Sequence, residues 1–138
     1  MDRSEPAILI VDDDPDVCHN MSDILSDQGY RVDTAHEGRT VLRLVQRQAY
    51  DLALLDYKMP GMDGLALCRE LTRLHPEIVA LLITAYPTDV LPAEAQAVGF
   101  RQIVPKPIDV PRLLERIEDA LDDVSPSHRR EKGRRPRD

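Results

Sequence analysis

Four stretches of the chain place a chemically capable side chain directly after an apolar run. Asp12-Asp13-Asp14 follows Ala7 to Val11, Asp56 follows Leu52 to Leu55, Thr84 follows Ile78 to Ile83, and Lys106 follows Ile103-Val104-Pro105. If these runs are parallel strands of one sheet, their carboxyl ends form a single edge, and ligands bind outside that edge. Two carboxylates from the first strand and one from the third would then repel each other, which is costly without a cation. Oxygen-only ligands suit a hard ion that keeps waters, so Mg²⁺ is the expected metal and Mn²⁺ a substitute. Asp12, Asp13 and Asp56 against Mg²⁺ and Lys106 balance formally, which leaves the site ready to accept a phosphoryl group. A carboxylate nucleophile at phosphorus needs its charge offset and its target's oxygens clamped. Mg²⁺, Lys106 and the Thr84 hydroxyl could supply that clamp, and an aspartyl phosphate fits the arrangement.

The intervening segments must carry those ends. Val17, Met21, Ile24 and Leu25 form one helical stripe, with Gly29 placed to stop the helix in the left-handed region. Tyr30 to Ala35 reads as a more polar strand, followed by the helical face Val41, Leu44, Val45. Leu67, Cys68, Leu71 and Leu74 define a third helix. Pro92 to Val98 reads as a short fourth one, with Ala93, Ala97 and Val98 as its apolar face. Val110, Leu113, Leu114, Ile117 and Leu121 give the clearest amphipathic helix. Pro105 cannot donate to a ladder, so the last strand belongs at an edge. Five strand-then-helix units predict a doubly wound α/β domain, a five-stranded parallel sheet with helices on both faces. A lone Asp before a helix is usually its N-cap, and Asp14, Asp16 and Asp63 are read so.

Composition removes several classes of function. The 138 residues are 42% apolar, 31% charged and 4% aromatic, with net charge −7, which fits one globular domain with an aliphatic core. Residues 122–138 hold six Lys/Arg against four Asp/Glu, leaving −9 on residues 1–121. So acidic a body argues against binding a nucleic-acid backbone. Met1 to Pro6 has no charged-then-apolar leader and no apolar run approaches the ~18 residues of a membrane span, so a cytoplasmic protein without membrane contact is expected. Cys18 and Cys68 lie far apart without metal-ligand spacing and are expected to be reduced structural thiols. His19, His36, His75 and His128 are scattered, which suits surface or capping roles. Met59 and Met62 read as packing residues. From Ser125 the chain lacks apolar residues, so residues 1–124 are taken as the domain and 125–138 as a basic disordered tail or linker stub.

Ile8-Leu9-Ile10-Val11-Asp12-Asp13-Asp14-Pro15, Leu54-Leu55-Asp56-Tyr57-Lys58-Met59-Pro60-Gly61-Met62-Asp63-Gly64, Ile83-Thr84-Ala85 and Pro105-Lys106-Pro107 together resemble the receiver domain of two-component response regulators. The likeness covers roughly residues 6–121. It implies a flavodoxin-like sheet of order 2-1-3-4-5 and a phosphoryl group passing from a sensor histidine kinase, or a histidine phosphotransfer protein, to Asp56. It further implies that Asp13, Asp56 and the Lys58 backbone carbonyl ligate Mg²⁺, with Asp12 acting through water. Lys106 would pair with the phosphate, its bond to Pro107 cis, and Thr84 would move to hydrogen-bond it. An effector protein would read the face of the fourth helix, last strand and last helix.

Two positions depart from the family pattern. Three residues before Lys106 the family usually has a Tyr or Phe that turns inward with the Thr, whereas Ile103 stands here. Phe100 is three residues away, and an odd shift along a strand places it on the other face. Pro105 stiffens the last strand. Lys58 and Tyr86, each two residues beyond a site residue, are expected to shield the phosphoryl group from water. A rival reading is a haloacid-dehalogenase-like phosphohydrolase using Asp12 and Asp14, which would need a further acidic pair at a later strand end.

Overall fold

Short runs of aliphatic, β-branched residues with no polar alternation suit strands covered on both sides. The computed structural model, which describes residues 5–124 apart from Pro60 and Met62, bears this out. Strands β1 (Ala7–Val11), β3 (Leu52–Asp56) and β4 (Val79–Thr84) are buried throughout. Strands β2 (Arg31–Ala35) and β5 (Phe100–Pro105) flank them, giving an all-parallel sheet of order β2-β1-β3-β4-β5. Helices α1 (Pro15–Asp27), α2 (Gly38–Arg47), α3 (Gly64–Leu74) and α4 (Pro92–Val98) make the crossovers, and α5 (Val110–Val124) follows the last strand. A 3-10 turn over Pro87–Asp89, not foreseen from the sequence, precedes α4. No helix among the described residues is long and apolar enough to cross a membrane. The tail expected at 125–138, with His128, lies outside the described residues, as does Met62.

Alternation along each strand sorts the core into two layers. Leu9, Ala53 and Leu82 meet Val41, Leu67, Leu71 and Val98 from α2, α3 and α4. Ile8, Ile10, Leu54 and Leu81 meet Leu25, Leu113 and Ile117 from α1 and α5. Each such Val, Leu or Ile side chain contributes about 1.5–3 kcal/mol by leaving water, and those layers fix the strand ends laterally. Asp14 caps α1, its Oδ1 accepting from the Asp16 amide at 3.0 Å, and Asp63 caps α3 through the Ala66 amide at 2.8 Å. Asp16 is therefore not a cap but the first-turn residue that the Asp14 cap satisfies. Gly29, at φ 96°, ends α1 as expected.

Helix α4 is short and held unevenly. Its buried face is Ala95 and Val98, three apart; Ala93 and Ala97, expected to join that face, point to solvent. At its C-terminal end the Val98 carbonyl accepts from Cys68 Sγ at 3.4 Å and Thr72 Oγ1 at 3.3 Å. Gly99 follows at φ 118°, with Thr72 packed where a Cβ would lie. At the other end Leu91 is exposed, and its amide meets only the Glu94 carboxylate of the next turn, at 3.4 Å. Both cysteines are free and buried; burial pushes the thiol of Cys18 up to about 11, with Asp12 adding to it, and that of Cys68 to about 12. His36 and His75 each reach a backbone carbonyl, of Asp12 and Val45, while His19 sits exposed on α1.

The edge strand holds one surprise. Ala80 pairs with Phe100 but Leu81 pairs with Gln102, so Arg101 is an extra, bulged residue. The bulge resets the alternation: Phe100 and Ile103, three apart, pack on the same layer, against α2, α3 and α4, contrary to the opposite faces that strict alternation gives. Phe100 is 3% exposed and a true core residue. Phe100→Ala is expected to cost about 3–5 kcal/mol in urea unfolding; a loss under about 0.5 kcal/mol, the scale of a surface substitution, would contradict this placement.

Candidate functional site

The register of the parallel ladders carries the sequence's acids to one edge. Val11 lies opposite Leu55, Asp56 opposite Ile83, and Thr84 opposite Pro105. Asp12 and Asp13 thus leave β1 beside Asp56, while Lys106 leaves β5 beside Thr84, its amide donating to the Thr84 carbonyl at 2.8 Å. Asp12, Asp56 and Thr84 are the buried polar residues of the described chain. One carboxylate oxygen from each of Asp12, Asp13 and Asp56 lies within 4.8 Å of the others. A Mg²⁺ ion with bonds of about 2.1 Å has opposed ligands about 4.2 Å apart. The three side chains, all oxygen donors, therefore fit a hard divalent ion after small rotations or with one water interposed.

Lys106 occupies the centre of this charge. Its ammonium donates to Asp12 Oδ2 at 3.2 Å and stands 3.4 Å from Asp56 Oδ1. Burial would lower the Lys106 pKa, but the Asp12 and Asp56 carboxylates outweigh it and hold the pKa above the usual lysine range. Asp56 moves up from the usual carboxylate range, first by burial and then by Asp12, with Lys106 opposing only in part. Thr84 Oγ1 accepts from the Tyr86 amide at 2.8 Å, which leaves its hydroxyl proton free to be donated. The peptide bond between Lys106 and Pro107 is cis, as expected.

Residues 8–118 match the family model described as the response regulator receiver domain. The chain belongs to that family. A CheY-like receiver domain from Methanospirillum hungatei superposes with TM-score 0.82 at 28% identity, over 89% of this chain and 98% of that one. The receiver domain is also similar to NtrX from Brucella abortus, TM-score 0.80 at 30% identity, over 89% of this chain and 28% of that one. Among curated relatives, the transcriptional regulatory protein ZraR of Salmonella typhimurium is 37% identical over 96% of this chain. A response regulator receiver protein of Anaeromyxobacter is 39% identical over 78%. The chain spans 29% and 45% of those two relatives' lengths. Nothing in these likenesses supports the phosphohydrolase reading. Asp14, which it needed, is engaged as the cap of α1, and among the described residues β4 and β5 end without an acidic pair.

The receiver domain brings Asp12, Asp13, Asp56, Thr84 and Lys106 together as the sequence suggested. The exposed Lys58 ammonium stands 5.2 Å from the Tyr86 ring centre and 5.8 Å from that of Tyr57, so the loops after β3 and β4 meet through Lys58 and Tyr86. Ile103 sits half-buried in the layer that holds α4. Three contributors escaped the sequence reading. Gly64 leaves no room for a side chain, since a Cβ there would lie 2.5 Å from the Asp56 carbonyl. That approach lets the start of α3 press against the end of β3, and the Gly in Met-Asp-Gly was its visible signal. Cys18 and His36 converge on the Asp12 carbonyl, at 3.4 and 3.2 Å; the signal available for His36 was its place directly after β2. Because the Asp56 pKa is raised on folding, the protonated acid favours the fold below the ordinary carboxylate range, and that contribution is lost as pH rises through the folded value. Metal-free Asp56→Asn is therefore expected to melt higher than wild type at pH 7, with the difference vanishing near pH 3 in matched thermal scans.

Proposed function

We propose that Asp56 accepts a phosphoryl group from a phosphohistidine, with Asp12, Asp13, Asp56 and the Lys58 backbone carbonyl arranged to hold Mg²⁺ or Mn²⁺. The observation that carries this is the half-buried Lys106 ammonium shared between Asp12 and Asp56 at a strand edge where a third carboxylate converges. In the transfer a carboxylate oxygen of Asp56 forms the new O–P bond as the histidine N–P bond breaks, and the imidazole nitrogen keeps the electron pair. The bound metal would neutralise charge on the phosphoryl oxygens and hold them in line. Lys106 then exchanges its carboxylate contacts for a phosphoryl oxygen, and the Thr84 hydroxyl, already anchored by the Tyr86 amide, donates its proton to another. The donor is a sensor histidine kinase or a histidine phosphotransfer protein in the cytoplasm. The chain catalyses its own phosphorylation and dephosphorylation but no turnover of an external substrate.

Signalling follows through protein contact. Between α4 and β5 opens a groove of about 230 Å³ lined by Pro92, Ala95, Gln96, Phe100 and Ile103, on the face an effector would read. With Ile103 in place of an aromatic ring, the conformational switch rests mainly on Thr84 and the loop that follows it. Incubation with Mg²⁺ and a small acyl phosphate is expected to add one phosphoryl group by intact mass, lost on chelation and in Asp56→Asn. An adduct that survives Asp56→Asn would refute the assignment. Lys106→Ala should retain metal binding while weakening capture of the phosphoryl group.

The contact between Lys58 and Tyr86 supports a slow loss of phosphate. Hydrolysis needs a water in line with the Asp56–phosphorus bond, and Lys58 and Tyr86, each two residues beyond a site residue, would cover that approach without a carboxylate or amide to orient the water. A few kcal/mol lost in positioning slows hydrolysis by roughly 10²-fold. Phospho-Asp56 is expected to decay markedly faster in the double variant Lys58→Asn/Tyr86→Glu than in wild type; equal rates would end the shielding argument.

A further inference from the structure

The three acids of the pocket are not held alike. Asp12 is fixed through its side chain, Oδ1 accepting from the Asp14 amide at 3.0 Å and Oδ2 from Lys106 at 3.2 Å. Asp56 is fixed by Lys106 at 3.4 Å and by its place within β3. Asp13 is exposed, and among the described residues no hydrogen bond or ion pair reaches its carboxylate. Its aim is therefore set by its own backbone, which begins with the peptide joining it to Asp12.

That peptide is clamped from outside the pocket. The Asp12 amide donates to the Ala35 carbonyl at 3.1 Å, extending the β1–β2 ladder by one residue. The Asp12 carbonyl receives His36 Nδ1 at 3.2 Å and Cys18 Sγ at 3.4 Å. A carbonyl oxygen only accepts, so in this contact Nδ1 acts as the donor, while the Cys18 thiol, which also lies 3.9 Å from the Ala35 carbonyl and 3.7 Å from Nδ1, has the Asp12 carbonyl as its nearest acceptor at 3.4 Å. The Asp12 carbonyl is thus approached from two sides, from α1 and from the residue that follows β2. With the carbonyl plane fixed, the Asp13 nitrogen and Cα are placed, and only rotation about its own N–Cα and Cα–Cβ bonds remains to aim the carboxylate.

We infer that His36 is a positioning residue of the acidic pocket, holding the Asp12–Asp13 peptide in the orientation that lets Asp13 join Asp12 and Asp56 around a divalent cation. The inference rests on the reading of that pocket as a Mg²⁺ site. Hydrogen bonds that orient the groups around a metal without touching it typically change affinity 10–100-fold. His36 is exposed and water can replace part of its bond, so the effect belongs at the lower end.

The test is Mg²⁺ titration by calorimetry on the full chain as wild type, His36→Ala, His36→Leu and His36→Asn, with thermal scans in chelator to compare the metal-free folds. Leu fills space without a donor, whereas the Asn amide nitrogen sits on Cγ as Nδ1 does. A dissociation constant about tenfold higher is expected for Ala and Leu, with most of the loss restored in Asn. In metal-free samples the Asp13 amide resonance should move in the Leu variant and return toward its wild-type position in Asn. Unchanged affinity in Ala and Leu, or equal weakening in Leu and Asn, would overturn the role of His36. A wild-type chain that binds no Mg²⁺ would overturn the reading of the pocket itself, and this inference with it.

Discussion

Three carboxylates within 4.8 Å of one another, answered by one ammonium, set the terms for this molecule. At an effective dielectric of about 20, two unit charges at that separation repel by roughly 3 kcal/mol, and solvent at Asp13 softens this further. The repulsion is tolerable only because it falls at the rim of a core with a dozen large aliphatic side chains almost wholly buried. That core spends part of its stability on keeping negative charge concentrated. The pocket is accordingly poised for whatever brings positive charge to it.

Parallel strands make such concentration possible while their ladders satisfy the polar backbone that they carry into the interior. Every strand ends on the same side, so each crossover delivers a new side chain to the same edge. The two acids after β1 and the one ending β3 are neighbours because β1 and β3 are adjacent in the sheet although far apart in sequence. Lys106 arrives from the far edge, two strands away from β3, and only a long flexible side chain spans that distance. The missing Cβ at Gly64 then couples the acceptor strand to α3 by direct backbone contact.

Much of this was legible in the chain. Apolar runs ending in Asp, Thr or Lys announced both the sheet and its functional edge, since period and composition report burial directly. What stayed hidden depended on departures from regular geometry or on main-chain partners. The Arg101 bulge adds one residue to β5, and any argument that counts faces by parity fails at such a point. Ala93 and Ala97 could have faced either way on so short a helix, because alanine carries too little apolar area to decide its rotation. The approach of Lys58 to two tyrosine rings, and of Cys18 and His36 to a carbonyl, involves loop geometry that no periodicity encodes.

The uneven anchoring of α4 has a mechanical consequence. Two donors from α3 grip the last carbonyl of the helix, while its first turn is held by the small buried side chain of Ala95 and by the Glu94 carboxylate on its own Leu91 amide. A rigid rod pinned at one end amplifies rotation toward the other. Seven residues at 1.5 Å rise make an arm of about 10 Å, so a tilt of about 10° carries the free end by roughly 2 Å while the pinned end stays in register. The free end is the one nearer Thr84 in the chain, and the groove lined by Pro92, Ala95 and Ile103 runs along the arm. A small displacement at the strand edge thereby has a lever through which the width of that groove can be changed.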